Sequence, residues 1–452
     1  LAGVFFTFFP LILYFLRMRT KLLHFWESLE TSFWFLPLLI VLLAIGLSFG
    51  LIYLDSLFDY QPSGFFLIFY TGGAESARSI LSTISGAMLG VASTVFSITL
   101  VALTLATSQF GPRLLRNFMH DRLNQVVLGT YVATFIYCLL VLRTVKSNGE
   151  LSFVPNISIL FAIILAIGNI MLLIVFIHHI SVSIQADQVI YKVGSNLNDN
   201  IKRLFSEELG EEKPAWEKEK PEEAQKEYSH IQAVLSLRGG YLQLIDMNTL
   251  LYQAAHHDLL LRLYCKPGEY LVKNTPIIRC FSKEKIGDDL QSKLENAFIL
   301  GGKRSPAQDA EFAVHQMVEI AARALSPGVN DPYTAISCID KLCATMCYLT
   351  NAKFPSPYRY DDEGVLRVIT ISLDFRGMMD AAFHQIRQYG KDNEAVLIRL
   401  MEALNTINSF ARTDEQKEAV QRHAKMVIRA AEEAFSEPND VEDLKERFEG
   451  ME

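Results

Sequence analysis

A four-span α-helical membrane domain followed by a cytoplasmic α+β region, a small β barrel or sandwich and then a mainly helical part, is the fold class predicted by this sequence. Three observations predict it. The chain has 452 residues, half of them hydrophobic, yet the apolar residues lie mostly before residue 181 and the charged ones after it. Four charge-poor stretches in the first part are long enough, or nearly so, to cross a bilayer core of about 30 Å. After them the apolar positions first alternate, as in strands, and then recur at spacings of three and four, as in helices.

The run 1–17 is apolar and aromatic, but no basic residue precedes it and it is short for a span. The chain begins with Leu and Met18 follows closely, so the expected start is Met18. The membrane domain is read as 18–180, with spans at about 33–54, 79–108, 126–142 and 157–177. The first is uncharged, with Trp26, Trp34 and Tyr53 at interfacial positions. The second has no ionisable residue from Ser79 to Gly111 and exceeds the length one crossing needs, so it should tilt or protrude. Arg143 closes the third span, and His178 and His179 close the fourth.

Arg17, Arg19 and Lys21 precede span one, and Arg113, Arg116 and Arg122 separate spans two and three. The loop from Asp55 to Arg78 holds one Arg and three acids. This asymmetry puts both termini in the cytoplasm, although Arg143 and Lys146 on the third loop run against it.

Residues 181–228 are read as a helical extension and a charged linker, because the two-proline run from Ser206 to Tyr228 has too little apolar surface to order itself. Residues 229–300 form the β-rich part: IQAVLS, GYLQLID, LLLRLYC and TPIIRCF are strands, with MNTLLYQAAHH as one inserted helix. Residues 301–452 are mainly helical, with VLRVITISLDF as one late strand that could complete the sheet.

The net charge of -8 argues against a nucleic-acid partner, which would need clustered Lys and Arg. The six cysteines form no C-x-x-C pair and read as reduced thiols, not disulfides or a zinc site. KPGEYLVKNTPII faintly resembles the turns of lipoyl-type barrels but lacks their exposed Lys flanked by Met. No cofactor, no metal site and no catalytic residue is assigned.

The phrases GGAESARSIL, VFSITLVALTLATSQFGPRLLRNFM, QVVLGTYVATFIYCLLVLRTV, HHISVSIQA and RALSPGVNDPYTAI together resemble an uncharacterised bacterial membrane-protein family, domain of unknown function 2254. The resemblance covers nearly the whole chain from Met18. It implies a multi-pass protein of the bacterial inner membrane, and it supplies no established activity.

The most informative pattern lies in span two. At about 100° per residue, Ser79, Ser82, Gly86, Gly90, Ser93, Ser97, Thr104 and Ser108 fall within an arc of roughly 80°. Ile84, Met88, Val91, Val95, Ala102 and Ala106 lie opposite. One reading is helix packing, in which Gly86-x-x-x-Gly90 lets backbones approach. The other is a pore lining, in which hydroxyls from several copies replace part of an ion's hydration. Glu75 and Arg78 precede the stripe as a charged outer mouth or an ordinary interfacial pair.

Elsewhere the bland readings lead. His178 and His179, like His256 and His257, are adjacent and diverge on a helix, which disfavours chelation. His315, Glu319 and Arg323 share a face as an ion-pair row. In SPGVNDPYTAI, Asn330 and Asp331 suit a helix cap ahead of Pro332, with a ligand loop as the alternative.

The functional expectation is an oligomeric inner-membrane ion channel or pore-type transporter with a cytoplasmic regulatory domain. Its partners are the lipid bilayer, further copies of itself and inorganic ions. The alternative is a non-conducting scaffold or signalling protein whose cytoplasmic domain binds a partner or small ligand; an enzyme ranks third.

Overall fold

The computed structural model describes residues 34–57, 73–111, 121–146, 153–206, 225–371 and 373–451. The expected start at Met18 lies outside these residues, as does most of the charged run; of that run, Ser206 ends a helix and Gln225–Glu227 form a single 3-10 turn. The chain divides into two compact units, Leu1–Gln185 and Ala186–Glu452.

Among the described residues, the first unit holds four helices long and apolar enough to cross a membrane: α1 (Phe35–Leu57), α2 (Ala74–Phe110), α3 (Arg122–Thr144) and α4 (Asn156–Ser183). The second is the longest, at 37 residues or about 55 Å. It begins a turn before the uncharged stretch because Glu75 favours the positive end of the helix, and it ends where Gly111 takes φ 104.

Helix α3 packs against the other three. At Gly129 a side chain has no room: a Cβ would sit 2.9 Å from Pro37 Cα and 3.0 Å from Ile40 Cδ1. Spans one and three therefore meet at a glycine. Several polar groups inside the bundle bond from helix to helix, as an apolar solvent favours. Tyr131 OH donates to Asn169 O (2.6 Å), Asn169 Nδ2 to Thr134 Oγ1 (2.8 Å) and Tyr137 OH to Ser158 O (2.9 Å).

The start of α4 is capped from a distance. Pro155 precedes it and offers no capping side chain. Asp55, near the end of α1, does so instead: its Oδ1 accepts from Ile157 N (2.9 Å), and its Oδ2 accepts from Ser158 N (3.0 Å) and Ser158 Oγ (2.6 Å). Toward the other end of α4, Asp121 caps α3 through Leu123 N (3.0 Å) and meets His179 Nε2 at 2.7 Å.

The second unit opens with α5 (Ala186–Ser206), which lies against its helical part: a Cβ at Gly194 would be 3.2 Å from Lys341 Cγ. The strands are β1 (His230–Leu235), β2 (Gly240–Ile245), β3 (Leu260–Leu263), β4 (Tyr270–Leu271), β5 (Pro276–Ser282), β6 (Phe298–Gly301), β7 (Tyr358–Tyr360) and β8 (Leu366–Ile369). They form a five-stranded sheet, β1-β5-β3-β8-β7, and a three-stranded sheet, β4-β2-β6. The late strand β8 joins the first sheet parallel to β3, with Leu261 opposite Val368. Both sheets bury side chains in one core, which includes Leu242, Leu261, Ile278, Phe298 and Val368. That common core fits the sandwich alternative of the two expected forms.

Two helices are inserted among these strands, α6 (Met247–His256) and α7 (Asp288–Glu295), where one was expected. The second escapes a periodicity reading because DDLQSKLE is only two turns long and carries two apolar residues. The remaining helices are α8 (Ala310–Ala324), α9 (Pro332–Leu349), α10 (Phe375–Gly390), α11 (Glu394–Phe410), α12 (Asp414–Ala434) and α13 (Pro438–Glu449). All six cysteines are free thiols and five are buried. Burial pushes Cys265 and Cys280 up to about 12, so both stay protonated and unreactive at neutral pH.

Candidate functional site

Helix α2 presents two unlike faces. Met88, Ala92, Val95, Ala102 and Ala106 are buried, several of them against Val127 and Tyr131 of α3 and Phe176 of α4. On the opposite side, Ser79, Ser82, Gly86, Gly90, Ser93, Ser97, Thr104 and Ser108 are all exposed. A Cβ built at Gly86 or Gly90 would meet nothing within 4 Å. Among the described residues the stripe is therefore not a packing seam; the glycine at the observed seam is Gly129.

Three hydroxyls on this face bond along their own helix. Ser97 Oγ donates to Ser93 O (2.9 Å), Thr104 Oγ1 to Leu100 O (2.9 Å) and Ser108 Oγ to Leu105 O (2.8 Å). Each such hydroxyl keeps acceptor lone pairs that point off the helix. One large apolar side chain shares the arc: at about 100° per residue Leu100 falls between Ser97 and Thr104 on the same side, and it is 46% exposed.

At the start of α2, Glu75 and Arg78 are both exposed, but Arg78 Nη2 donates to the carbonyl of Val145 at 2.9 Å. Arg78 thus ties the start of span two to the end of span three. In the second unit, Asn330 is exposed and takes φ 49. Asp331 caps α9, with Oδ1 accepting from Thr334 N (3.1 Å) and Oδ2 from Thr334 Oγ1 (2.6 Å). Both carboxylate oxygens are thereby engaged, which favours the cap over the ligand loop. Glu319 and Arg323 approach to 3.6 Å, while His315 Nδ1 meets Arg304 Nη1 at 3.0 Å.

A second polar constellation was not anticipated. Asp380 and His384 lie four apart on α10, and His423 on α12 reaches the same carboxylate oxygen. His384 Nε2 is 3.0 Å and His423 Nε2 2.9 Å from Asp380 Oδ1, and Arg422 Nη2 also donates to it. Among the described residues these three form a group that could hold a metal ion, since their ligating atoms all lie within 4.8 Å of one another. Burial pushes His423 down to about 4, against the opposing hydrogen bond to Asp380, so its imidazole is neutral at physiological pH. The spacing Asp380-x-x-x-His384 is readable in the sequence; the third member comes from a different helix, and no local pattern announces it.

The chain matches, over residues 30–406, the family described as "Predicted membrane protein (DUF2254)". It is 30% identical over 421 residues to an uncharacterized protein of Mycobacterium bovis, covering 92% of this chain and 79% of that protein. An uncharacterized protein of Mycobacterium tuberculosis shows the same identity and coverage. No solved structure matches the chain.

Proposed function

The chain belongs to this family of predicted membrane proteins, and from that premise we propose that it is a homo-oligomeric ion channel or pore-type transporter of the bacterial inner membrane. Copies of α2 surround a hydrated axis, both termini lie in the cytoplasm, and the unit Ala186–Glu452 serves as a cytoplasmic regulatory domain with no catalytic role.

One observation carries the reading. The longest span turns its eight small and hydroxylated residues outward, while its apolar face is buried against its own bundle. Lipid chains gain little dispersion contact from Ser and Gly and offer no hydrogen bonds. Another copy of the helix can approach such a face closely, and water or an ion can use its hydroxyls. Leu100, at the same azimuth, forms a narrow apolar collar between Ser97 and Thr104 in this arrangement.

A dry seam between copies, the scaffold reading, draws on the hydroxyls that already donate along the helix and need no water. Ion flux from liposomes, with cross-linking of the same samples, separates the two. The channel reading expects flux from the wild type, and a drop of at least tenfold in Ser93→Val/Ser97→Val with assembly retained. A wild type that assembles yet passes no monovalent or divalent ion at any pH, voltage or tension would sink the channel and leave the scaffold.

A further inference from the structure

We propose that Asp380, His384 and His423 form a binding site for a first-row divalent transition cation such as Zn2+, and that Arg422 is the built-in competitor for Asp380 when the cation is absent. The inference is independent of what the membrane unit conducts.

The geometry comes first. Metal–nitrogen and metal–oxygen bonds of about 2.0–2.1 Å at tetrahedral angles set neighbouring ligand atoms roughly 3.3 Å apart. The two imidazole Nε2 atoms stand 3.0 Å and 2.9 Å from Asp380 Oδ1. Each of these two separations needs only a few tenths of an ångström of opening to admit a cation, and all three ligating atoms lie within 4.8 Å of one another. The positions are fixed by the fold: Asp380 and His384 share a face one turn apart on α10, and α12 packs against that helix and delivers His423. The rings of His384 and His423 are 4.9 Å apart between centroids, so both converge on one point.

The donor set then selects the ion. Two imidazoles and one carboxylate suit Zn2+ and its first-row neighbours, whereas Mg2+ and Ca2+ prefer oxygen-only shells. Exposure is graded in the same sense: the His423 side chain is 2% exposed, while those of Asp380 and His384 are 32% and 33% exposed. The site is closed behind and open to water in front, leaving room for a water ligand to complete a three-residue shell. Ligation through both Nε2 atoms requires each ring to carry its proton on Nδ1.

Arg422 supplies the competition. Its Nη2 occupies Asp380 Oδ1, its Nε is buried without a hydrogen-bond partner, and its side chain is 32% exposed. A divalent cation on Asp380 displaces the guanidinium toward solvent by like-charge repulsion. The exchange replaces the two contacts that Arg422 and His423 make to Asp380 between α10 and α12 with a three-ligand clamp across the same helices, which makes their packing responsive to the ion.

The test uses the full chain in detergent or nanodiscs, stripped with chelator and titrated with Zn2+, with Co2+ as a spectroscopic probe and Mg2+ as control. The expected result is one Zn2+ per chain, a Co2+ visible band that Zn2+ abolishes, and no response to Mg2+. His384→Ala, at a partly exposed helix position that leaves the buried His423 in place, should weaken binding at least a hundredfold without loss of fold. Arg422→Gln should tighten it about tenfold. Zn2+ bound equally well by His384→Ala, or no binding by a folded wild type up to millimolar Zn2+, would overturn the site and leave a structural ion-pair cluster. An Arg422→Gln affinity equal to wild type would overturn the competition.

Discussion

Glycines at two places in the membrane unit look alike in sequence and do opposite things. Gly129 sits where the backbones of spans one and three meet, with Pro37 Cα 2.9 Å from where its Cβ would be. Gly86 and Gly90 face nothing within 4 Å of theirs. The polar groups divide in the same way. Asn169, Thr134 and Tyr131 are buried and bond across helices, whereas Ser97, Thr104 and Ser108 are exposed and bond along one. A buried polar group in a membrane bundle must find a partner in the same chain. The small polar face of α2 is exposed among the described residues, which is what the proposed contact with another copy or with water draws on.

The sharpest way to break this comparison is a matched pair of substitutions. Gly129→Leu drives a side chain into Pro37 and Ile40, and overpacking of this kind costs about 1–3 kcal/mol or more, so the chain should fail to fold or unfold far more readily in detergent. Gly90→Leu adds its Cβ where no described atom lies within 4 Å, and should leave the monomer's unfolding unchanged while abolishing cross-linked oligomers. Equal destabilisation by both would erase the distinction.

A smaller effect sharpens the contrast between cross-helix and along-helix bonding. Asp55→Ala leaves the amides of Ile157 and Ser158 without their acceptor at the start of a membrane helix, a loss of about 1–3 kcal/mol. Ser97→Ala removes a hydroxyl whose hydrogen bond stays within its own helix and should change stability by no more than a few tenths of a kcal/mol. Denaturant unfolding of the two variants in the same detergent gives the comparison, and a Ser97→Ala loss as large as that of Asp55→Ala would refute it.

Much of this arrangement is legible in the sequence because membrane solvation leaves plain marks. The four spans follow from uninterrupted apolar length, and the azimuth of the stripe from 100° geometry. Strand β8 was also foreseeable as a partner for the earlier sheet, because VLRVIT is β-branched and bounded by turn residues. What the sequence does not carry is which small residue meets which neighbour. Gly86-x-x-x-Gly90 has the pattern of a packing seam and is open, while the lone Gly129 is the one enclosed. The same limit hid Asp55, which reads as the first residue of a loop yet caps a helix 102 positions away. It also hid the meeting of His423 with Asp380, since long-range contacts leave no periodicity.

The central claim, that the outward face of α2 borders water between copies, is tested most directly by thiol accessibility in liposomes. A cysteine at Ser97 is compared with one at Ile174, an apolar position of α4 that is 61% exposed on the bundle surface. A hydrophilic, membrane-impermeant thiol reagent should modify Ser97→Cys at least tenfold faster than Ile174→Cys, with permeant ions slowing the reaction. Equal protection of the two positions in an assembled protein would contradict the claim and make the stripe a dry interface.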